Sequence, residues 1–179
     1  MKKILLFILS LIIIIFAVYF WFIKDQKKDE ITITNFSDCV KEQNIIQESY
    51  PRQCVSKTGE KFVEDIGNEL EKSDLIRINY PRPNQEISSP LKIEGEARGS
   101  WFFEASFPIT LIDQQGNVIS QGIATAKTDW MTEEFVSFSS DLEFVEQVSG
   151  SLGKLLLKKD NPSGLPEYED YLEVPVVFR

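Results

Sequence analysis

Histidine is absent from the 179-residue sequence, and cysteine and methionine occur only twice each. Without histidine the chain lacks the commonest general acid–base catalyst and the commonest metal ligand. Two cysteines alone cannot supply the full ligand set of a structural zinc site. Positive charge is also scarce: 19 lysines and arginines face 28 acids, for a net charge of −9. An acidic surface repels phosphate, which argues against nucleic acid and anionic headgroups as partners and leaves a basic partner or a neutral glycan easier to bind. Ser88-Ser89 and Ser139-Ser140 have no base to activate them. Glu133 and Glu134, adjacent in an expected strand, point to opposite faces and share no site. Oxygen donors gather at Asp160, Asn161, Ser163, Glu167, Glu169 and Asp170, but without the regular ligand spacing of a calcium loop. The expectation is a protein that is not an enzyme and carries no cofactor and no metal.

One long apolar run is present. Ile4 to Ile23, broken only by Ser10 and closed by Tyr19, Phe20 and Trp21, would span roughly 30 Å as a helix, the thickness of a bilayer core. A signal peptide has a shorter apolar region and a small-residue cleavage site, whereas this run ends in bulky side chains, so a retained transmembrane helix is expected over residues 4–23. No cysteine closes the run, so lipoprotein processing is not supported. Lys2 and Lys3 precede it while Lys24, Lys27 and Lys28 follow it, and the positive-charge rule does not decide its orientation. Cys39 and Cys54 do: an even pair beyond the membrane reads most simply as one disulfide, which needs an oxidising compartment. A redox dithiol favours closer spacing. Residues 1–3 are then a cytoplasmic tip and the remainder is extracytoplasmic.

Residues 24–30 (KDQKKDE) read as a charged linker. Residues 31–67 form a small unit too short to bury much core, and a Cys39–Cys54 bridge closing its loop would contribute about 3 kcal/mol. Residues 68–74 (NELEKSD) read as a second linker or helical turn. From 75 to 179 apolar residues alternate in short runs separated by turn residues. Ile76–Tyr80, Leu91–Ala97, Val118–Ala126, a run from Phe135 and Ser151–Lys158 are expected strands, and Leu172, Val174, Val176 and Phe178 alternate at the end, with Pro175 on the opposite face at a tolerant edge. Phe103, Ala105, Phe107, Ile109 and Leu111 are expected on one buried face. About seven strands in this length fit an all-β, immunoglobulin-like antiparallel β-sandwich.

Particular residues within this stretch carry a resemblance. Pro81-x-Pro83, Ile87-Ser88-Ser89-Pro90-Leu91-x-Ile93-x-Gly95-x-Ala97, Phe102-Phe103-Glu104-Ala105, Leu111-x-Asp113-x-x-Gly116, Asp129-Trp130-Met131 and Val174-Pro175-Val176-x-Phe178 resemble the immunoglobulin-like domain of bacterial sporulation and spore germination proteins, which often accompanies a GerMN domain. The resemblance covers about 76–179 and implies a secreted or membrane-tethered sandwich of the bacterial cell envelope with no catalytic residues. No GerMN domain accompanies it here; the cysteine-containing unit takes its place.

The candidate ligand or partner surface is Arg98, Trp101, Phe102, Asp129 and Trp130. Loop aromatics offer rigid area to a sugar ring or a protein, and Arg98 could clamp a carboxylate. The alternative is that Phe103 is core and that Trp101 and Trp130 only cover the sandwich ends. The functional expectation is a membrane-anchored, non-catalytic binding or scaffold protein, with an envelope protein or a cell-wall glycan as partner. A peptidoglycan binder using Trp101 and Trp130, and a regulator of an envelope protease presenting the loop from Asp160 to Pro166, are the alternatives.

Overall fold

The structure, a computed structural model, describes residues 12–21 and 32–179. Residues 12–21 are helical (α1) and exposed. The rest of the expected anchor 4–23, the tip 1–3 and the linker 24–30 lie outside the described residues, among which no helix is long and apolar enough to cross a membrane.

A short helix and three strands make the small unit. Helix α2 (Phe36–Lys41) starts at Asn35, whose side chain accepts the Asp38 N–H, and Lys41 sits in its last turn, so both ends are satisfied in the usual sense of the helix dipole. Strands β1 (Ile45–Gln47), β2 (Gln53–Val55) and β3 (Lys61–Val63) form an antiparallel meander in that order. Cys39 on α2 and Cys54 on β2 are both fully buried and joined as a disulfide, with Cα atoms 6.0 Å apart. The bridge is therefore the core of a unit that has little other core.

Residues 69–72 then form α3 (Glu69–Lys72), and the sandwich follows: β4 (Ile76–Tyr80), β5 (Gln85–Ile87), β6 (Leu91–Arg98), β7 (Ser106–Asp113), β8 (Val118–Ala126), β9 (Phe135–Leu142), β10 (Leu152–Lys158) and β11 (Tyr171–Phe178). Hydrogen bonding orders them β4-β6-β9-β8-β7-β10-β11-β5. β4 and β5 stand at opposite ends of this order, yet only residues 81–84 separate them, so the sheet must fold over on itself. It turns at β8, which pairs with β7 along its length but with β9 only at Thr125 and Ala126. Folding brings Phe107 of β7 against Phe138 of β9, ring centroids 4.9 Å apart, although a whole strand lies between them in the sheet. Ile78, Ile93, Leu111, Leu155, Val174 and Phe178 fill the space between the layers.

Two departures from the expected strand pattern have physical causes. The sandwich has eight strands, not about seven, and is not wholly antiparallel: β5, expected as part of a kink, runs parallel to β11. The alternation expected to bury Phe103 with Phe107 breaks at Glu104 and Ala105, both in the left-handed region (φ 48° and 62°). Phe103 and Ser106 exchange backbone hydrogen bonds across these two residues, a hairpin turn with positive φ at both centres. The turn reverses the chain, leaving Phe102 buried and Phe103 43% exposed.

Pro175 is not at an open edge either. It is buried, because the outer edge of β11 is covered along its length. β5 takes Val176 to Phe178, and Asn84 donates its N–H to the Pro175 carbonyl. Asn68 takes the rest: its side-chain amide donates to the Tyr171 carbonyl (2.9 Å) and accepts the Glu173 N–H (2.7 Å). One side-chain amide thus makes the bonds that a neighbouring strand's peptide would make. Gly67, at φ 67°, must be glycine for this approach, since a Cβ there would lie 2.0 Å from the Glu173 carbonyl oxygen.

Candidate binding surface

Antiparallel pairing sends three connections to one end of the sandwich: residues 99–105 between β6 and β7, 127–134 between β8 and β9, and 159–170 between β10 and β11. Short polar bonds tie them together. Gly99 packs beneath the second loop so closely that a Cβ would meet the Thr132 carbonyl oxygen at 1.9 Å and that of Trp130 at 2.3 Å. Asp160 of the third loop donates its N–H to the Trp101 carbonyl at 3.0 Å, and Ala126 donates to Ala105 at 2.8 Å.

Trp101 and Phe102 are corrections to the expected surface. Both belong to the core, at 1% and 4% exposure, because the 3-10 turn Gly99–Trp101 drives them down between the sheets. The Phe102 ring meets that of Phe107 edge-on at 5.2 Å. Trp101 seals the end of the sandwich from below and is inaccessible to a sugar. Trp130 is half-buried and packs on the core from the second loop. Asp129 is exposed, and its carboxylate caps the Met131 N–H.

The Arg98 guanidinium is engaged within the chain. It donates to the carbonyls of Asp74 and Glu133, both at 3.0 Å, lies 3.7 Å from the Glu134 carboxylate, and stands 4.2 Å from the centroid of the Phe135 ring. Arg77 approaches the same ring at 4.1 Å. Arg98 therefore latches the second loop to the chain entering β4. Glu133 and Glu134 precede β9 as loop residues, not strand residues. Among the described residues no cluster of acids or cysteines is arranged to hold a metal ion.

A second polar constellation, not anticipated as a unit from the sequence, joins the small unit to the sandwich along its open edge, where residues 81–84 cross from β4 to β5, and Lys72 of the following helix pairs with Asp170 of the third loop at 2.7 Å. Arg52 grips Glu64 with two side-chain bonds, Nε to Oε2 at 2.9 Å and Nη2 to Oε1 at 2.6 Å. Asn84 donates to the same carboxylate (3.3 Å) and to the Asp65 carbonyl (2.7 Å). Arg82 bonds Glu69 at 2.8 Å and donates to the Tyr50 hydroxyl at 2.8 Å, and that hydroxyl donates to Glu69. Arg52 and Asn84 hold the Glu64 carboxyl below the usual carboxylate range, Arg52 being the larger cause. Burial first, and the Glu69 carboxylate second, push the Tyr50 phenol up to about 12. Tyr50-Pro51-Arg52 stands out in the sequence as a segment, but its partners lie far away in the chain and carry no local signal.

A family model, Gmad2, described as the immunoglobulin-like domain of bacterial spore germination, matches residues 75–164. No curated protein and no solved structure matches the chain. The match begins just before β4 and ends inside the third loop, leaving β11 and the small unit outside it. It spans half of the chain, and the chain belongs to the family of immunoglobulin-like domains of bacterial spore germination.

Proposed function

We propose that this protein is a non-catalytic binding module of the bacterial cell envelope, tethered by residues 4–23 and presenting the three-loop end of its sandwich to a partner outside the membrane. The observation that carries this reading is where the small unit docks. It leads the chain out of the apolar run, and Arg52, Glu64, Tyr50 and Glu69 fix it to Arg82 and Asn84 along the open edge of the sandwich, which leaves Phe103, Met131, Leu165 and Tyr168 at the loop tips exposed. A tether that enters along the edge leaves these loop tips open to a partner. The buried disulfide supports an oxidising location. A glycan platform built on paired tryptophans loses its support with the burial of Trp101.

Expression of the full chain carrying Met131→Cys tests the reading. The protein should sediment with membranes, should lose that behaviour when residues 4–23 are deleted, and should react with a membrane-impermeant maleimide in intact cells. Labelling that occurs only after lysis would overturn it.

A further inference from the structure

The geometry points to a specific kind of partner for the loop end: a polypeptide surface that places lysine or arginine side chains around an apolar anchor. This inference rests on the binding reading above and names the chemistry of its partner. Above the sealed Trp101, the three loops expose apolar and aromatic side chains: Phe103 (43%), Met131 (76%), Leu165 (47%) and Tyr168 (56%), with Tyr171 (46%) at the start of β11. Large apolar groups gathered at one end and rimmed by polar residues mark an interaction site more often than scattered ones do.

Charge decides what fits there. Glu104, Asp129, Glu133, Glu134, Glu167 and Glu169 are all exposed in the same loops. Of the cations beside these acids, Arg98 is held by Glu133 and Glu134, Lys127 by Glu94 at 2.9 Å and Lys72 by Asp170 at 2.7 Å, which among the described residues of these loops sets Lys159 alone against the six exposed carboxylates. Carboxylates interleaved with exposed phenol and phenyl rings suit cationic side chains twice over, through charge and through the ring faces. A phosphate-bearing surface is repelled by the same groups.

The loops are also preorganised. Gly99 locks the first loop beneath the second, Asp160 ties the third to Trp101, and Glu104 and Ala105 hold left-handed backbone conformations that turn Phe103 outward. Rigid display of anchors lowers the ordering cost of association, and strained turns of this kind concentrate at binding sites.

The test uses the full chain in nanodiscs of zwitterionic lipid, with empty discs as blank, and three synthetic peptides: alternating Lys-Tyr, Lys-Ser and Glu-Tyr. The Lys-Tyr peptide should bind at least about tenfold more tightly than either of the others, and should slow amide exchange in residues 99–106, 127–134 and 159–170. Met131→Ser with Tyr168→Ser, both at exposed positions, should weaken it by about tenfold, and Glu133→Gln with Glu134→Gln should flatten its salt dependence. Equal binding of Lys-Ser and Lys-Tyr peptides, or protection elsewhere in the chain, would overturn the proposal. So would protection of these loops by soluble peptidoglycan fragments or by a second copy of the chain in place of the peptide. A chain that is membrane-held and labelled at position 131 from outside, yet ignores all three peptides, would keep its role as a display module and lose the cationic partner.

Discussion

Trp101 and Trp130 sit in neighbouring loops, and the backbone separates their roles. The 3-10 turn at Gly99 buries the first, while the second rests half-exposed on the core. Trp101→Ala should therefore cost about 3–5 kcal/mol in denaturant unfolding, the range for truncating a large buried aromatic, and Trp130→Ala clearly less. Gly99→Ala should destabilise too, because its new methyl must displace the Thr132 carbonyl.

Protonation adds a second test at single residues. The Glu64 carboxyl is lowered from 4.5 mainly by its bonds to Arg52, so its stabilising contribution is full above that value and fades as pH falls through the lowered one. Arg52→Ala should remove about 1–2 kcal/mol at neutral pH, discounted for the half-exposed guanidinium, and the difference should close in acid. Tyr50 behaves in the opposite sense: its raised pKa, about 12 against 10.0, leaves its contribution intact below 10 and removes it as pH climbs toward 12. Ultraviolet titration of the phenolate in native and Tyr50→Phe protein would read the shift directly.

At the scale of elements, the small unit depends on one covalent bond and the edge of β11 on one side chain. Cys39→Ser or reduction should cost the unit about 3 kcal/mol on the loop-entropy account. Amide exchange should then rise across residues 36–63 while β4 to β11, which contain no cysteine, keep their protection. Asn68→Ala should cost about 1–2 kcal/mol by stranding the Glu173 N–H, and should promote concentration-dependent association through the exposed strand edge. The strands themselves were legible: Ile76–Tyr80 and Val118–Ala126 stand in the structure with the limits that alternation and turn residues give them. β5 was not, since a three-residue strand held by a parallel partner about ninety positions away leaves no period of its own. The reversal at Glu104-Ala105 escaped for a related reason, as neither residue announces positive φ in the way glycine does. Burial of Trp101 follows from that turn and the preceding one together, so loop aromatics offered a plausible surface where the structure made core.

For the whole molecule, the chain's two modes of stabilisation divide along its length. The sandwich is held by a continuous apolar core; the unit before it is held by sulfur and by charge, through Cys39–Cys54, Arg52–Glu64 and Arg82–Glu69. Raising salt should loosen the junction before it affects the sandwich, because the arginines of both ion pairs are close to half exposed. Arg82→Ala with Asn84→Ala should let the unit swing free without unfolding β4 to β11, seen as a larger hydrodynamic radius at unchanged near-ultraviolet circular dichroism of the core aromatics.

Asn68 gives this division a consequence for how such a chain can be cut and shuffled. The family match runs from 75 to 164, but the side chain that finishes the sheet lies ahead of that segment, and the strand it finishes lies behind it. The portion that is recognisably shared is therefore smaller than the portion that must travel together. A gene fusion that joined residue 75 onward to another leader would inherit a raw β11 margin, and any new neighbour upstream would need its own amide to stand where Asn68 stands.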